Sequence, residues 1–294
     1  MRNSNIVMIV LVSIFMLFAG CSIPGVGDNT QQNGFFSGGS GGSTSSGGSG
    51  VDLTFAPENP PSKMYKGDPR TFGFIFTNHQ EHDITDMRIK TKGFETSYVK
   101  GLNNNYNVQT IPKATTQSGA GVFTGLQVTG VSVDGFQEKY DFNPKFDYCY
   151  TAKTSFREQI CVPSKKNTCD VKVDASQKQN GPLVVSADRV VNYQGGIRID
   201  FTVTNKANGK VVNECFKDDD YANSFELEAK LGDSSGQCTA VSGQQIVNGK
   251  ANFYCEFTRS MEDSYASQIV VGLDYKYQQS AEKKIQVVDL DYQG

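Results

Sequence analysis

An internal repeat is the feature that most constrains this chain. The segment YKGDPRTFGFIFTN, which ends at Asn78, aligns with YQGGIRIDFTVTN, which ends at Asn205, after a gap of one residue. A second match sets FDYCY at 146–150 against LDYKY at 273–277, and both matches have the same offset of 127 residues. Separate matches that share one offset predict two homologous domains, a first copy at 51–168 and a second at 169–294.

Within both copies, apolar and polar residues alternate over short runs that turn-forming residues separate. Examples are TFGFIFT at 71–77, KFDYCYT at 145–151 and SQIVVGLDYKY at 267–277. This period of two, rich in aromatic and β-branched residues, is typical of half-buried strands in an antiparallel sandwich. No run of ten or more residues after Gly50 has a convincing helical period, so the sequence predicts an all-β fold.

The repeated element is a Tyr-x-Gly turn followed by an alternating strand that ends in Thr-Asn. It resembles the start of CARDB-like immunoglobulin-fold domains of prokaryotic, especially archaeal, surface proteins. The resemblance implies two tandem immunoglobulin-like antiparallel β-sandwich domains that serve adhesion, spacing or assembly without catalysis. An antibody-type core is excluded, because the chain has no Trp.

The N-terminus has the pattern of an export signal. A mainly apolar stretch from Ile6 to Ala19 follows Arg2, and its 14 residues suit a secretory signal better than a membrane span, which needs roughly 20. The exit LFAGC resembles the prokaryotic lipobox, although Phe18 stands where an aliphatic residue is usual. The resemblance implies a signal peptide at 1–20 and lipid attachment at Cys21; an uncleaved anchor and ordinary secretion are the alternatives.

A polar segment follows the cysteine and ends in SGGSGGSTSSGGSG. It has too few apolar residues to offset its ordering entropy, so residues 21–50 are predicted to be the lipid-anchor cysteine and a disordered Gly/Ser-rich linker. A tether placed directly after a lipobox-like cysteine suits a protein held at the outer face of the cell membrane.

Six of the seven cysteines lie beyond Cys21. An even number in an exported chain indicates disulfides. Through the 127-residue offset, Cys149 and Cys161 correspond to Lys276 and Val288, on the last two runs of the second copy. Those runs are expected to pair as a hairpin, so we predict a Cys149–Cys161 disulfide.

The second copy contains the other four cysteines. Cys238 and Cys255 flank Asn248-Gly249, a strong hairpin signal, and are expected to pair across it. Cys169 would then pair with Cys215, although four cysteines allow three connectivities. Zinc binding is the rival interpretation, and the chain lacks the Cys-x-x-Cys spacing that it favours.

Two polar segments are candidate metal sites. His79 and His82 lie in TNHQEHD with Glu81 and Asp83. They are three residues apart in a predicted loop, whereas the zincin motif spaces them four apart on a helix. The three consecutive carboxylates Asp218, Asp219 and Asp220 could supply oxygen ligands to calcium, the one candidate cofactor, although they lack EF-hand spacing. Solvated interstrand loops are the alternative at both places.

The remaining pattern favours interaction over chemistry. With a net charge of −3 and no charge blocks, the chain has no footprint for nucleic acid. It has no G-x-S-x-G motif, and its two histidines lie in one loop, so we expect no enzyme activity. Asn103, Asn104, Asn105 and Tyr106 resemble paratope composition and are candidate partner-binding residues.

Together these features predict a membrane-anchored extracytoplasmic binding or structural protein. It would act in adhesion, as an envelope component, or as an accessory subunit of a surface complex. Its partners would be the membrane, through the lipid on Cys21, and an unidentified protein or glycan at the cell surface. The alternatives are an extracytoplasmic solute- or polysaccharide-binding protein and a metal-dependent hydrolase.

Overall fold

The computed structural model describes residues 50–115, 120–162, 179, 181–193, 195–217, 225–240, 246, 249–258 and 265–291. The predicted signal peptide, Cys21, most of the linker, the 168/169 boundary, Cys169 and Asp218 to Asp220 lie outside these residues. Every regular element in the described part is a strand, so the all-β prediction is confirmed. That part contains no helix long and apolar enough to cross a bilayer.

The described residues form eighteen strands. In chain order they are β1 (Val51–Phe55), β2 (Lys63–Tyr65), β3 (Arg70–Asn78), β4 (Arg88–Lys92), β5 (Val99–Lys100), β6 (Asn105–Asn107), β7 (Gly121–Val133), β8 (Lys139–Phe142), β9 (Lys145–Val162), β10 (Leu183–Tyr193), β11 (Gly196–Asn205), β12 (Lys210–Val212), β13 (Glu226–Leu231), β14 (Ser234–Ser235), β15 (Gln237–Ala240), β16 (Lys250–Thr258), β17 (Tyr265–Glu282) and β18 (Ile285–Val288).

These strands form four sheets. The first copy has a small sheet of order β1-β3-β7-β5, and the second copy has one of order β10-β11-β16-β15. A seven-stranded sheet, here called the shared sheet, runs β14-β13-β17-β9-β4-β6, with β12 also paired to β17. A three-stranded sheet, β2-β18-β8, combines strands of both copies.

The two copies meet in one antiparallel ladder. Strand β9 of the first copy pairs with β17 of the second over their full lengths, from Lys145 opposite Glu282 to Val162 opposite Tyr265. The pairing resumes between β8 and β18, where Phe142 lies opposite Ile285 in unchanged register. The copies therefore share a sheet, an arrangement that the alternating pattern of either copy alone does not reveal.

A local two-fold axis passes through this ladder. Tyr150 on β9 lies directly opposite Tyr277 on β17, and these residues are equivalent through the 127-residue offset. When two equivalent residues lie directly opposite each other, a two-fold axis passes between them. Rotation by 180° about this axis relates one copy to the other. The chain thus arranges its two copies as a symmetric dimer arranges two subunits across an isologous interface.

The β9 strand contributes to the core of both copies. Its even-numbered residues, from Phe146 to Val162, are all buried. The Phe146 ring lies 5.0 Å from the ring of Phe74 on the first small sheet, whereas the Phe156 ring lies 6.5 Å from that of Phe201 on the second. Each small sheet therefore covers one half of the shared ladder, and the buried residues form one continuous cluster.

The repeated Thr-Asn ends have the same local geometry in both copies. The Asn78 side chain donates to the carbonyl of His82 at 2.9 Å and accepts from the Gln80 N–H at 2.9 Å. Asn205 likewise donates to the carbonyl of Gly209 and accepts from the Ala207 N–H, at 2.8 and 3.2 Å. An asparagine thus ends each repeated strand by bonding the backbone that follows.

The disulfide prediction was partly wrong. Cys149 is bonded to Cys215, so neither the Cys149–Cys161 nor the Cys169–Cys215 pairing holds. Cys149 and Cys161 lie on the same continuous strand, β9. Twelve residues of strand separate their Cα atoms by roughly 40 Å, far beyond the reach of a disulfide. Cys161 is disulfide-bonded as well, and its partner lies outside the described residues.

The Cys238–Cys255 prediction is confirmed. The two residues lie opposite each other on the adjacent strands β15 and β16. The connection between these strands includes residues 241–245, 247 and 248, which lie outside the described residues. The near-symmetry of the two cysteines about this connection was the signal that located the pair.

Candidate functional site

The histidine loop follows β3, where Asn78 turns the chain. The His79 Nε2 atom lies 3.0 Å from an Asp52 carboxylate oxygen. His82 instead lies against β9, and burial lowers the pKa of its imidazole, opposed by a hydrogen bond with the Thr151 backbone. The two rings therefore have separate surroundings. Among the described residues, no three His, Cys, Asp or Glu side chains are grouped as metal ligands would be.

The same loop closes part of the β9 edge. Strand β4 pairs with β9 only as far as Cys149. Beyond it, Asp86 accepts the N–H of Thr151 at 3.1 Å and its hydroxyl at 2.5 Å. Gln80 then accepts the N–H of Lys153 at 3.0 Å. Side chains of the loop thus replace a missing strand, which gives these polar residues a structural role.

The Asn-rich segment includes the start of β6, which is the strand at one border of the shared sheet. Backbone carbonyls of Asn103 and Asn104 accept the hydroxyl and N–H of Thr91, at 2.5 and 2.9 Å. The Tyr106 hydroxyl accepts the Asn103 N–H at 2.6 Å, and partial burial raises the pKa of this phenol. The side chains of Asn103, Asn104 and Asn105 are exposed. This predicted partner-binding segment is therefore a fixed backbone that presents amides to solvent.

Residues 214–217 of the second copy lie against β9 of the first copy, on the face of this strand that points away from the core. The disulfide fixes Cys215 to the fully buried Cys149 on β9, and the Phe216 N–H donates to the Gln278 side chain at 2.9 Å. Glu214 and Lys217 form an ion pair beside it. Sequence reasoning missed this contact, because nothing local to Cys149 indicates which strand face the second copy covers.

Four tyrosines surround the local two-fold axis, and the hydroxyl of each makes a hydrogen bond: Tyr148, Tyr150, Tyr275 and Tyr277. Tyr150 accepts the Val51 N–H at 2.9 Å, and Tyr275 accepts the Leu183 N–H at 3.0 Å. Val51 and Leu183 are the first residues of β1 and β10, and each lies opposite the asparagine of its copy. The tyrosines therefore attach the leading strand of each copy to the ladder, and burial raises the pKa of both phenols.

The described surface also has an open depression of about 330 Å³ where the ladder is interrupted between β8 and β9. Its lining is mostly polar: Ser62, Asp141, Asn143, Lys284, Ile285 and Gln286. Small-molecule sites usually enclose most of the ligand between apolar walls. This depression has neither property, so it does not make a strong ligand pocket.

No family model matches the chain, and no curated protein matches it significantly.

Proposed function

We propose that this chain is a membrane-anchored extracytoplasmic protein with a binding or structural role, tethered through Cys21. The observation that carries the proposal is the oxidation state of its cysteines. All five cysteines in the described part of the chain are disulfide-bonded. Disulfides persist in oxidising compartments outside the cytoplasm.

The shared ladder supports a mechanical or assembly role. We propose that the copies, 51–168 and 169–294, are two immunoglobulin-like domains fused across it. An 18-residue strand pairing and the disulfide between Cys149 and Cys215 join them. Such a body resists bending between its halves, which suits a component that spaces or connects other molecules at a surface.

The distribution of ionisable side chains favours binding over catalysis. Catalytic sites bring together a nucleophile or base and its partners in a cleft. Here His79 pairs with Asp52 while His82 lies against β9, and the buried tyrosine hydroxyls are engaged with the backbone. The proposed partner is a protein or glycan at the cell surface.

The mature N-terminus tests the anchoring. Mass spectrometry of membrane-extracted protein should give a lipid-bearing peptide that begins at Cys21, and Cys21→Ser should release the protein from the membrane. An intact Met1 peptide would instead identify an uncleaved anchor, and an unmodified N-terminus near the linker would identify simple secretion.

Thiol labelling tests the compartment independently. Intact cells treated with a thiol-alkylating reagent before denaturation should leave Cys149, Cys215, Cys238 and Cys255 unmodified. The same residues should be labelled after reduction. Labelling of these cysteines without reduction would contradict an oxidising environment.

A further inference from the structure

The imidazole of His82 is held against β9 in one protonation state. It lies on the histidine loop, residues 79–87, which joins β3 to β4. The ring bonds the Thr151 backbone in a way that raises its pKa. The Thr151 N–H already donates to Asp86, so the Thr151 carbonyl is the acceptor. Among the described residues the buried Nε2 atom has no hydrogen-bond partner, which leaves Nδ1–H as the donor. The fold therefore selects the neutral ring with its proton on Nδ1.

A second ring proton has no acceptor in this place. Gln80, on the same loop, is 1% exposed, and its side-chain oxygen accepts the Lys153 N–H at 3.0 Å. Its side-chain nitrogen is itself a buried donor without an acceptor in the described part of the chain. Protonation of His82 at Nε2 would add another buried N–H of this kind, which is costly. A protonated ring is therefore more stable away from β9, where water can accept its second proton.

The charged groups around the ring do not offset this cost. They are Asp83 on the same loop, Lys153 on β9 and Asp274 on β17. The Lys153 ammonium lies 3.2 Å from an Asp274 oxygen, so these two charges largely cancel at the ring. One Asp83 oxygen accepts the Lys113 N–H at 2.8 Å. Burial remains the largest influence, and it holds the pKa of His82 below its ordinary value of 6.5.

The second copy makes the same turn without an ionisable side chain. Through the 127-residue offset, His82 corresponds to Gly209. The Gly209 carbonyl accepts the Asn205 side chain, just as the His82 carbonyl accepts the Asn78 side chain. A Cβ atom on Gly209 would clash with the Gln278 carbonyl, so no side chain fits there. The turn itself therefore needs no histidine, and the ring adds a titratable contact to the first copy alone.

We propose that protonation of His82 detaches Gln80 and His82 from β9, which makes the histidine loop an acid-sensitive contact. A solvated imidazole takes up a proton near pH 6.5. The detached loop binds this proton more tightly than the attached loop, so attachment is strongest above pH 6.5 and weakens as the pH falls below it. Detachment frees the Lys153 N–H. The proposal goes beyond the proposed function and does not depend on it.

Amide hydrogen exchange on the purified disulfide-bonded chain tests the detachment. Protection factors at pH 7, 6 and 5 remove the intrinsic pH dependence of exchange, and carboxylates titrate mainly below this range. The Gln80 and Lys153 amides should lose protection about tenfold between pH 7 and 5. The Ala207 amide bonds Asn205 as the Gln80 amide bonds Asn78, so it is the internal reference and should keep its protection. Constant protection of Gln80 and Lys153 would overturn the proposal.

Two variants identify the titrating group, because the chain has only two histidines. His82→Asn keeps a side-chain N–H near the position of Nδ1 but does not titrate, so it should make the protection of Gln80 and Lys153 constant from pH 7 to 5. His79→Gln removes the other imidazole, whose Nε2 atom lies 3.0 Å from Asp52, and should retain the tenfold loss. The opposite result would assign the pH dependence to the His79–Asp52 pair and overturn the proposal.

The ring signals of His82 provide a second measurement that needs no variant. Followed by nuclear magnetic resonance in the unaltered chain, their pH midpoint should coincide with the loss of protection at Gln80 and Lys153. A ring that titrates while both amides stay protected would show that His82 accepts its proton in place, which would overturn the proposal. Because these experiments use purified protein, a negative result leaves the N-terminal and thiol tests of the proposed function unaffected.

Discussion

At the residue scale, the asparagine that ends each repeated strand holds the backbone that follows it by hydrogen bonds. Asn78 is fully buried, and its amide bonds the carbonyls of His82 and Pro112 and the N–H of Gln80. A buried N–H that loses its acceptor is costly. The repeat preserves this residue because the polypeptide must turn at the same point in both copies.

Asn78→Ala should therefore lower the free energy of unfolding by about 1–3 kcal/mol. The substitution leaves the buried Gln80 N–H without its acceptor. Urea denaturation monitored by circular dichroism measures the change. Asn104→Ala, at an exposed side chain of the same type, is the control and should change stability little; equal stability of both variants would contradict the assigned role.

Tyr277 gives a pH-dependent prediction. Burial raises its pKa to about 12, whereas an unfolded tyrosine ionises near 10. The folded state favours the neutral phenol, so its contribution is complete below pH 10 and is lost as pH rises from 10 to 12. The free energy of unfolding should fall across this window, and Tyr277→Phe should make the fall shallower, by about 1 kcal/mol at pH 11. Tyr193→Phe, at an exposed ring, should leave the slope unchanged.

At the element scale, the two described disulfides differ in what they connect. Cys238–Cys255 joins neighbouring strands that are already paired, across a sequence separation of 17. Cys149–Cys215 joins the first copy to the second across a separation of 66. The longer enclosed loop loses more entropy in the unfolded chain.

Replacing Cys149 and Cys215 by alanine should therefore destabilise the chain more than replacing Cys238 and Cys255. The chain-entropy relation gives a difference of about 1 kcal/mol. Urea midpoints of the two double variants, each without a new free thiol, measure it. A larger loss for the Cys238 and Cys255 variant would show that the cross-copy bond does not constrain the unfolded chain as expected.

At the scale of the whole molecule, the shared ladder makes the copies depend on each other. Strand β18, from the end of the second copy, lies between β2 and β8 of the first. Strand β9, from the first copy, supplies Phe156 to the core beneath Phe201 of the second. Removing either copy would expose buried apolar surface on the other.

A fragment of residues 50–162 should consequently lack cooperative folding, because β9 would lose β17 and β2 would lose β18. Thermal denaturation and two-dimensional amide spectra of the fragment measure this, with the full chain unfolding in one transition as the reference. A fragment with dispersed amide signals and a sharp transition would mean that the first copy folds independently.

Much of the fold could be predicted from sequence, because its signals are local. Alternation placed the segments that became β3, β9, β11 and β17, since residues along a half-buried strand face the core and the solvent in turn. The common offset identified Asn78 with Asn205 and Tyr150 with Tyr277, which have matching positions in the structure. The Cys238–Cys255 pair could be predicted because only 17 positions separate the two cysteines and a local turn signal lies between them.

The rest depended on contacts between segments that are distant in sequence. An alternating strand specifies which face is buried, but not which strand lies beside it, so the pairing of β9 with β17 had no local signal. The Cys149–Cys161 prediction failed for the same reason: it assumed a hairpin where the chain runs straight. The sequence by itself determined that this protein is β-rich and that it contains a strand-forming element twice, ending at Asn78 and at Asn205. Only the tertiary structure decided that both halves of the chain contribute strands to one sheet, because this depends on which backbone groups find partners across the molecule.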